Sequence, residues 1–224
     1  MAETAQDLKS IYARRFAATA AYRASVWSIL SPYLSRWFPK TNRVALDLGC
    51  GYGEWINSLQ TPERHAMDLN ADARSHLAPG VVFHEQDCTQ EWPIPAGSLD
   101  VVVTSNFFEH LPNKDALRAT LRQALRTLRP GGRLIAMGPN IRYLPSRYWD
   151  FLDHHVALTE ASLSEALSLE GFTIVRAIPR FLPYTMVGGP RYPLLFLRLY
   201  LALPFTWLLF GRQFLVIAEK PESR

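Results

Sequence analysis

Three glycines spaced two residues apart, Gly49, Gly51 and Gly53, follow directly on the apolar run Val44-Ala45-Leu46-Asp47-Leu48. Glycine lets a chain turn sharply and approach a ligand without a Cβ in the way. A dinucleotide site would read Gly-x-Gly-x-x-Gly, with the ligand's diphosphate on the N-terminus of the next helix. Here the sixth position is Glu54, a carboxylate aimed where a diphosphate would lie. That disfavours NAD and FAD, and a nicotinamide oxidoreductase with them. A cofactor without phosphates suits the loop, and acids downstream supply its remaining contacts. Asp68, 19 residues after Gly49, stands where an acid can accept from both ribose hydroxyls. Asp87 can accept from an adenine amino group, beside the backbone amide of Cys88.

These residues need strand ends to position them, and the chain alternates accordingly. Short apolar strands are expected at Val44–Leu48, Arg64–Asp68, Val81–Glu85, Leu99–Ser105, Arg133–Met137, Thr173–Ile178 and Phe214–Glu219. Between them helices are expected at Glu54–Gln60, Ala71–Leu77, along Leu117, Leu121, Leu125 and Leu128, and over 159–170 behind the N-cap Thr159. The helix carrying the leucines should stop at Pro130-Gly131-Gly132. Residues 7–38 have helical apolar spacing, ended by Pro39. Strands alternating with helices argue for an α/β fold, a parallel sheet covered on both faces. The last two strands lack an ordinary crossover between them and are expected to pair antiparallel.

The 224 residues suit one domain with an elaboration. Two cysteines, Cys50 and Cys88, make neither a disulfide scaffold nor a four-ligand zinc site, which fits a reducing compartment. Met1 to Gln6 is polar and carries Glu3, so no secretory signal peptide and a cytoplasmic location are expected. The formal charge of +4 is not spread evenly. From Gly171 to Ala218 there are five arginines and no acid, while the remainder holds 19 basic and 20 acidic residues. The charge is mixed with aliphatic and aromatic residues and the chain has only four lysines. No duplex-binding stripe follows from it, and nucleic acid is not an expected partner.

Leu-Asp-Leu-Gly-Cys-Gly-Tyr-Gly, Asp68, Asp87, Ser-Asn-Phe-Phe-Glu-His-Leu (105–111) and Leu-Arg-Pro-Gly-Gly-Arg-Leu (128–134) together resemble the class I S-adenosylmethionine-dependent methyltransferases of the small-molecule type. The resemblance covers roughly residues 44–177. It implies a Rossmann-like seven-stranded, mostly parallel sheet with the last strand antiparallel and helices on both faces. It also implies S-adenosyl-L-methionine as cofactor. Asp47 and the amides near Gly49, Gly51 and Gly53 would meet the methionine part. Asp68 with Leu69 would hold the ribose, Asp87 with Cys88 the adenine, and Ser105 and Asn106 would sit beside the sulfonium. The Pro-Pro-Tyr-like tetrapeptide of base-methylating relatives is replaced by Ser105-Asn106-Phe107-Phe108.

Methyl transfer from a sulfonium needs an aligned acceptor, exclusion of water and, for a hydroxyl acceptor, a base. Histidine suits that task because its unperturbed pKa of about 6.5 is near neutrality. His154 or His155 can be the base with Asp150 or Asp153 orienting it, or a helix cap or tyrosine partner instead. His110 is expected to shape the pocket or meet the acceptor. Tyr143, Tyr148 and Trp149 crowd the same loop, and Tyr12, Phe16 and Tyr22 offer an aromatic face that could close the pocket or pack the core. Glu109, His110, His154 and His155 could hold a metal if they converge, but their spacing does not demand it, and no metal is expected.

The organisation expected is an N-terminal helical lid (1–40), a cofactor-binding core (41–179), an apolar basic insert (180–213) and the last strand with its tail (214–224). The insert is too short, and too interrupted by Arg198 and Pro204, for a spanning helix. It can cap an apolar acceptor, lie on a membrane surface through 191–212 with arginines at the headgroups, or make a homodimer contact. The reading is methyl transfer to a small acceptor, most readily a hydroxyl of an apolar or lipid-linked metabolite. C- or N-methylation, or a silent cofactor-binding assembly partner, stands beside it.

Overall fold

The computed structural model describes residues 19–41, 43–184 and 191–222. The strands are β1 (Val44–Leu48), β2 (Glu63–Asp68), β3 (Val81–Glu85), β4 (Leu99–Ser105), β5 (Leu128–Pro139), β6 (Thr173–Ile178) and β7 (Gln213–Glu219). The α-helices are α1 (Ala20–Leu34), α2 (Glu54–Ser58), α3 (Lys114–Thr127), α4 (Glu160–Leu169), α5 (Leu194–Ala202) and α6 (Trp207–Phe210). One seven-stranded sheet has the order β3-β2-β1-β4-β5-β7-β6. The first five strands are mutually parallel. β7 enters antiparallel between β5 and β6, from Arg133↔Glu219 to Pro139↔Gln213 on one side and Thr173↔Glu219 to Ile178↔Leu215 on the other. The antiparallel pair is therefore present, with β6 rather than β7 at the edge.

Side chains alternate across a strand, so the two sheet faces carry different sets. Leu46, Leu48, Val102, Leu134 and Ala136 face α3 and α4, which bury Leu117, Leu121, Leu163 and Leu167. Ala45, Val101, Val103, Ile135 and Met137 face the side covered by Trp27, Leu30 and Leu34 of α1 and Trp55 and Ile56 of α2. Burying one such leucine contributes about 1.5–3 kcal/mol, so the paired layers rather than helix propensity hold these elements in place. Asn113 caps α3 by accepting from the Ala116 amide, and Thr159 forms a reciprocal capping box with Ser162 at α4.

Three boundaries differ from the sequence pattern. Ala71–His76 is a 3₁₀ turn rather than a helix, opened by Asn70 accepting from the Asp72 amide. β5 begins at Leu128, through the proline and glycines, because the Gly131 amide donates to the Lys220 carbonyl and the Lys220 amide to that of Gly132. The N-terminal helical pattern yields α1 and a 3₁₀ turn over Ser35–Trp37, while Leu8, Ile11, Tyr12 and Phe16 lie outside the described residues.

Residues 194–207 of the insert between β6 and β7 pack beside α1. Leu201 and Trp207 are buried there, the Tyr200 hydroxyl donates to the Phe181 carbonyl (2.6 Å), and Trp207 Nε1 donates to the Tyr200 carbonyl (2.8 Å). Its other side is bare: Tyr192, Leu195, Phe196, Leu199, Leu203, Phe205, Leu208, Leu209 and Phe210 are all exposed. Among the described residues no helix is long and apolar enough to cross a membrane.

Candidate functional site

Strand order reverses between β1 and β4, and the carboxyl ends of such strands are where open α/β sheets bind ligands. The Gly49 and Cys50 amides fold back onto the Met67 carbonyl at the end of β2 (2.9 and 3.1 Å). Gly49 has φ +69°, and a Cβ there would lie 2.3 Å from the Phe107 ring. Gly53 has φ +70°, and a Cβ there would lie 2.4 Å from Leu77. Both positions combine a left-handed backbone with close approach, which only glycine tolerates. Asp68 locks the loop from below: its Oδ2 accepts from the Gly51 amide and its Oδ1 from the Asn70 amide, each at 2.9 Å.

A cavity of about 940 Å³ opens above these elements. Its walls bring together Asp47, Gly49, Gly51, Asp68, Leu69, Asp87, Cys88, Ser105, Asn106, His110 and His155. Asp47 and Asp68 are both buried, and burial raises both pKa values, Asp47's well above the usual range with the Glu54 charge adding to it. The Asn70 and Gly51 amides partly offset the shift at Asp68. Asp87, exposed, turns back on the Thr89 amide and hydroxyl (both 2.8 Å) and stays at the rim. Asn106 holds φ +52°, fixed by its amide donating to the Met137 carbonyl (2.9 Å).

The acid-rich wall and bare loop fit a ligand carrying cationic groups and an adenosine. Asp47 and the loop amides would hold the amino-acid end of S-adenosylmethionine, Asp68 its ribose, and Asp87 with the Cys88 amide its adenine. Glu54 is paired with Arg23 of α1 (2.9 Å). The carboxylate at the sixth position is thus paired from a distant helix, which weakens the charge argument against a diphosphate.

The opposite wall carries the histidines. His110 Nδ1 lies 3.0 Å from the Asp153 carbonyl and 3.2 Å from Asp153 Oδ2. Both partners accept, so Nδ1 carries the proton. Burial would lower the His110 pKa, but the bond to Asp153 and the Glu109 charge outweigh it and raise it. Glu109 is buried behind this wall, and burial pushes its carboxyl up to about 7. His155 is exposed on the cavity wall, while its amide is held by the Glu109 carbonyl (2.8 Å). His154 turns the other way, stacked on Phe151 with ring centres 5.0 Å apart.

Besides His154, four residues expected at the acceptor or cofactor lie away from the cavity wall. Tyr148 is fully buried and its hydroxyl donates to the Val156 carbonyl (2.5 Å), so it braces the loop. Trp149 stands edge-on against Tyr148 with an exposed ring. Tyr143 lies under the Arg180 guanidinium (4.9 Å), and Gly53 is the N-cap of α2. Tyr12 lies outside the described residues. None of 191–212 lines the cavity. Arg23, Trp27 and Leu152 do line it. No local pattern marks them, since each reaches the site through tertiary packing alone.

A methyltransferase domain family model matches residues 19–177. A protein of Mycolicibacterium smegmatis named a probable S-adenosylmethionine-dependent methyltransferase is 29% identical over 138 residues, covering 59% of this chain and 52% of that one. The 27-O-demethylrifamycin SV methyltransferase of Amycolatopsis mediterranei is 34% identical over 101 residues, covering 40% and 36%. The matches thus span about half the length of the first of these relatives and about a third of the second. A crystal structure of a SAM-dependent methyltransferase from Archaeoglobus fulgidus superposes with TM-score 0.62 at 20% identity, over 87% of this chain and 94% of that one. With the family model spanning most of the chain and the sheet order to match, this chain belongs to the methyltransferase domain family and is, as a domain, a class I S-adenosylmethionine-dependent methyltransferase.

Proposed function

We propose that the protein methylates a hydroxyl of a small, apolar or lipid-linked acceptor while resting against a membrane surface. The observation that carries this reading is the exposed apolar face of 192–210, in a stretch that also holds Arg191, Arg198 and Arg212 and not a single acid. Isolated exposed apolar residues are ordinary, but a contiguous face of this kind marks a binding surface. Arginines in the same stretch suit anionic headgroups. The hydroxyl assignment is supported by His155 at the cavity wall and by a relative whose name denotes an O-demethyl substrate.

S-adenosylmethionine, when bound, supplies an electrophilic methyl group on a sulfonium. Asp47, Asp68 and the glycine loop would hold the cofactor in place, and the buried Trp27 would help to keep water from the reacting end. His155 accepts the acceptor's hydroxyl proton as the oxygen approaches. That oxygen would take the methyl group from the bound cofactor, and His155 would carry the proton away.

The test has two arms. The protein should co-sediment with phosphatidylglycerol vesicles at low salt and release as salt rises. Replacing Phe205, Leu208 and Phe210 with Asp should abolish this while S-adenosylhomocysteine binding is retained. In assays with labelled cofactor, His155→Ala should lower methyl transfer to hydroxylated, polyprenyl-linked sugars by about 10²-fold. Absence of vesicle binding, with transfer to water-soluble acceptors only, overturns the membrane reading. Undiminished turnover in His155→Ala overturns the base.

A further inference from the structure

Behind the wall formed by His110 and His155, Glu109, His110 and His154 each present a ligand atom, and these atoms lie within 4.8 Å of one another. Two stretches far apart in the chain make the cluster. Glu109 and His110 sit on the 3₁₀ turn Phe108–His110 after β4, and His154 sits on the loop before α4. The His155 and Val156 amides stitch the two together by donating to the Glu109 carbonyl at 2.8 and 3.1 Å. Glu109 is 3% exposed and His154 6%. A buried carboxyl and imidazoles gathered this closely are neutral, paired with one another or bound to a metal.

The chemistry of His110 supplies the second observation. Its Nδ1 donates to the Asp153 carbonyl and carboxylate, so in the neutral ring, the form that binds metal, the lone pair resides on Nε2. A histidine held through one ring nitrogen by a carboxylate, with the other left as a donor, is the arrangement that orients metal-binding imidazoles. Ligand atoms sharing a Zn²⁺ ion at about 2.0–2.2 Å lie roughly 3–4 Å apart, so a closing movement of about 1 Å completes the set.

We propose that Glu109, His110 and His154 form a divalent metal site at the His110 wall of the cavity, with Asp153 as its positioning residue. Two imidazole nitrogens and one carboxylate oxygen select an ion of the Zn²⁺ or Mn²⁺ class over Mg²⁺ or Ca²⁺, which favour all-oxygen sets. Three protein ligands leave a coordination position open, and His110 lines the cavity, so that position faces the acceptor. The role facing the acceptor rests on the methyltransferase reading, whereas ion binding does not.

Zn²⁺ uptake by the full chain, stripped with chelator and dialysed, tests the site without any turnover assay. One equivalent of Zn²⁺ should be retained. Glu109→Gln and His154→Gln should each weaken its binding at least tenfold, and Asp153→Asn by about 10–100-fold. A second cluster serves as control: His65 Nδ1 lies 2.9 Å from His84 Nε2 and His65 Nε2 lies 2.9 Å from Glu63 Oε1, on β2 and β3. His84→Gln should leave the equivalent in place. Should the buried variants fail to fold, the Co²⁺ spectrum of the parent chain and of His84→Gln decides, showing nitrogen and oxygen coordination without a thiolate charge-transfer band. No stoichiometric uptake, loss of the ion in His84→Gln, or a thiolate band from Cys50 or Cys88 overturns the proposal. S-adenosylhomocysteine binding measured alongside separates failure of this site from failure of the cofactor site.

Discussion

Replacing Asp68 with Asn removes the charge and, on one side, the acceptor. In the parent protein both carboxylate oxygens accept from backbone amides at 2.9 Å, Oδ2 from Gly51 and Oδ1 from Asn70. The carboxamide keeps one oxygen and turns an NH₂ group toward the other amide, setting donor against donor. A hydrogen bond to a charged group contributes about 1.5–3 kcal/mol, and its loss in a buried site leaves an unsatisfied amide. Because the Gly51 amide belongs to the loop that would meet the cofactor, most of that loss should appear in ligand affinity. A tenfold change corresponds to about 1.4 kcal/mol, so the dissociation constant for S-adenosylhomocysteine should rise roughly 10–100-fold. The part of the loss that falls on the ligand-free fold should lower the melting temperature by roughly 2–4 °C per kcal/mol. Isothermal titration calorimetry and thermal unfolding measure the two effects. Asp87→Asn, at the exposed rim, should weaken binding less. Parent-like affinity and melting in Asp68→Asn would show that Asp68 neither braces the loop nor meets the ligand.

Gly49→Ala should lower stability by roughly 1–2 kcal/mol from the left-handed backbone alone; displacement of Phe107 adds to this, and thermal unfolding measures the sum. Burial pushes the Cys88 thiol up to about 12 and raises Cys50 well above the usual thiol range. At pH 8 a thiol with that pKa is roughly one part in ten thousand thiolate, so neither cysteine should react with iodoacetamide in the folded chain; rapid alkylation would place them elsewhere. Burial, with His65 beside it, lowers the His84 pKa. A base whose folded pKa is depressed contributes stability above its unfolded pKa of about 6.5 that is lost as pH falls through the folded value. Subtracting the stability of His84→Gln from that of the parent should isolate this fall below about pH 6.5, and a difference independent of pH would contradict it.

Much of the site could be read along the chain because its parts sit at strand ends. The run Val44–Leu48 followed by glycines marks a tight turn by residue type alone, and Asp68 and Asp87 follow the next two strands at the matching edge. The periods of apolar residues likewise mark α3 and the strands, since burial on one helix face or both sheet faces requires them. Ala71–His76 was less legible: its composition permits a helix, but a short segment capped by Asn70 closes as a 3₁₀ turn. The loop of 141–157 was least legible. Aromatic composition cannot distinguish Tyr148, buried with its hydroxyl on Val156, from a residue that faces a ligand.

By itself the sequence determined the class of fold, the phosphate-free glycine loop and the acids that follow it, because those depend on short-range spacing and on glycine's freedom at positive φ. Tertiary structure alone decided which charges meet. It paired Arg23 with Glu54, turned His155 to the cavity and His154 away from it, and set His154 against Glu109 and His110. It also laid residues 194–207 of the insert beside α1, with none of 191–212 lining the cavity, leaving an apolar face exposed. These outcomes depend on how packed layers bring distant segments within a few ångströms. Hydrogen bonds and ion pairs are strongest at that range, and spacing along the chain does not carry it.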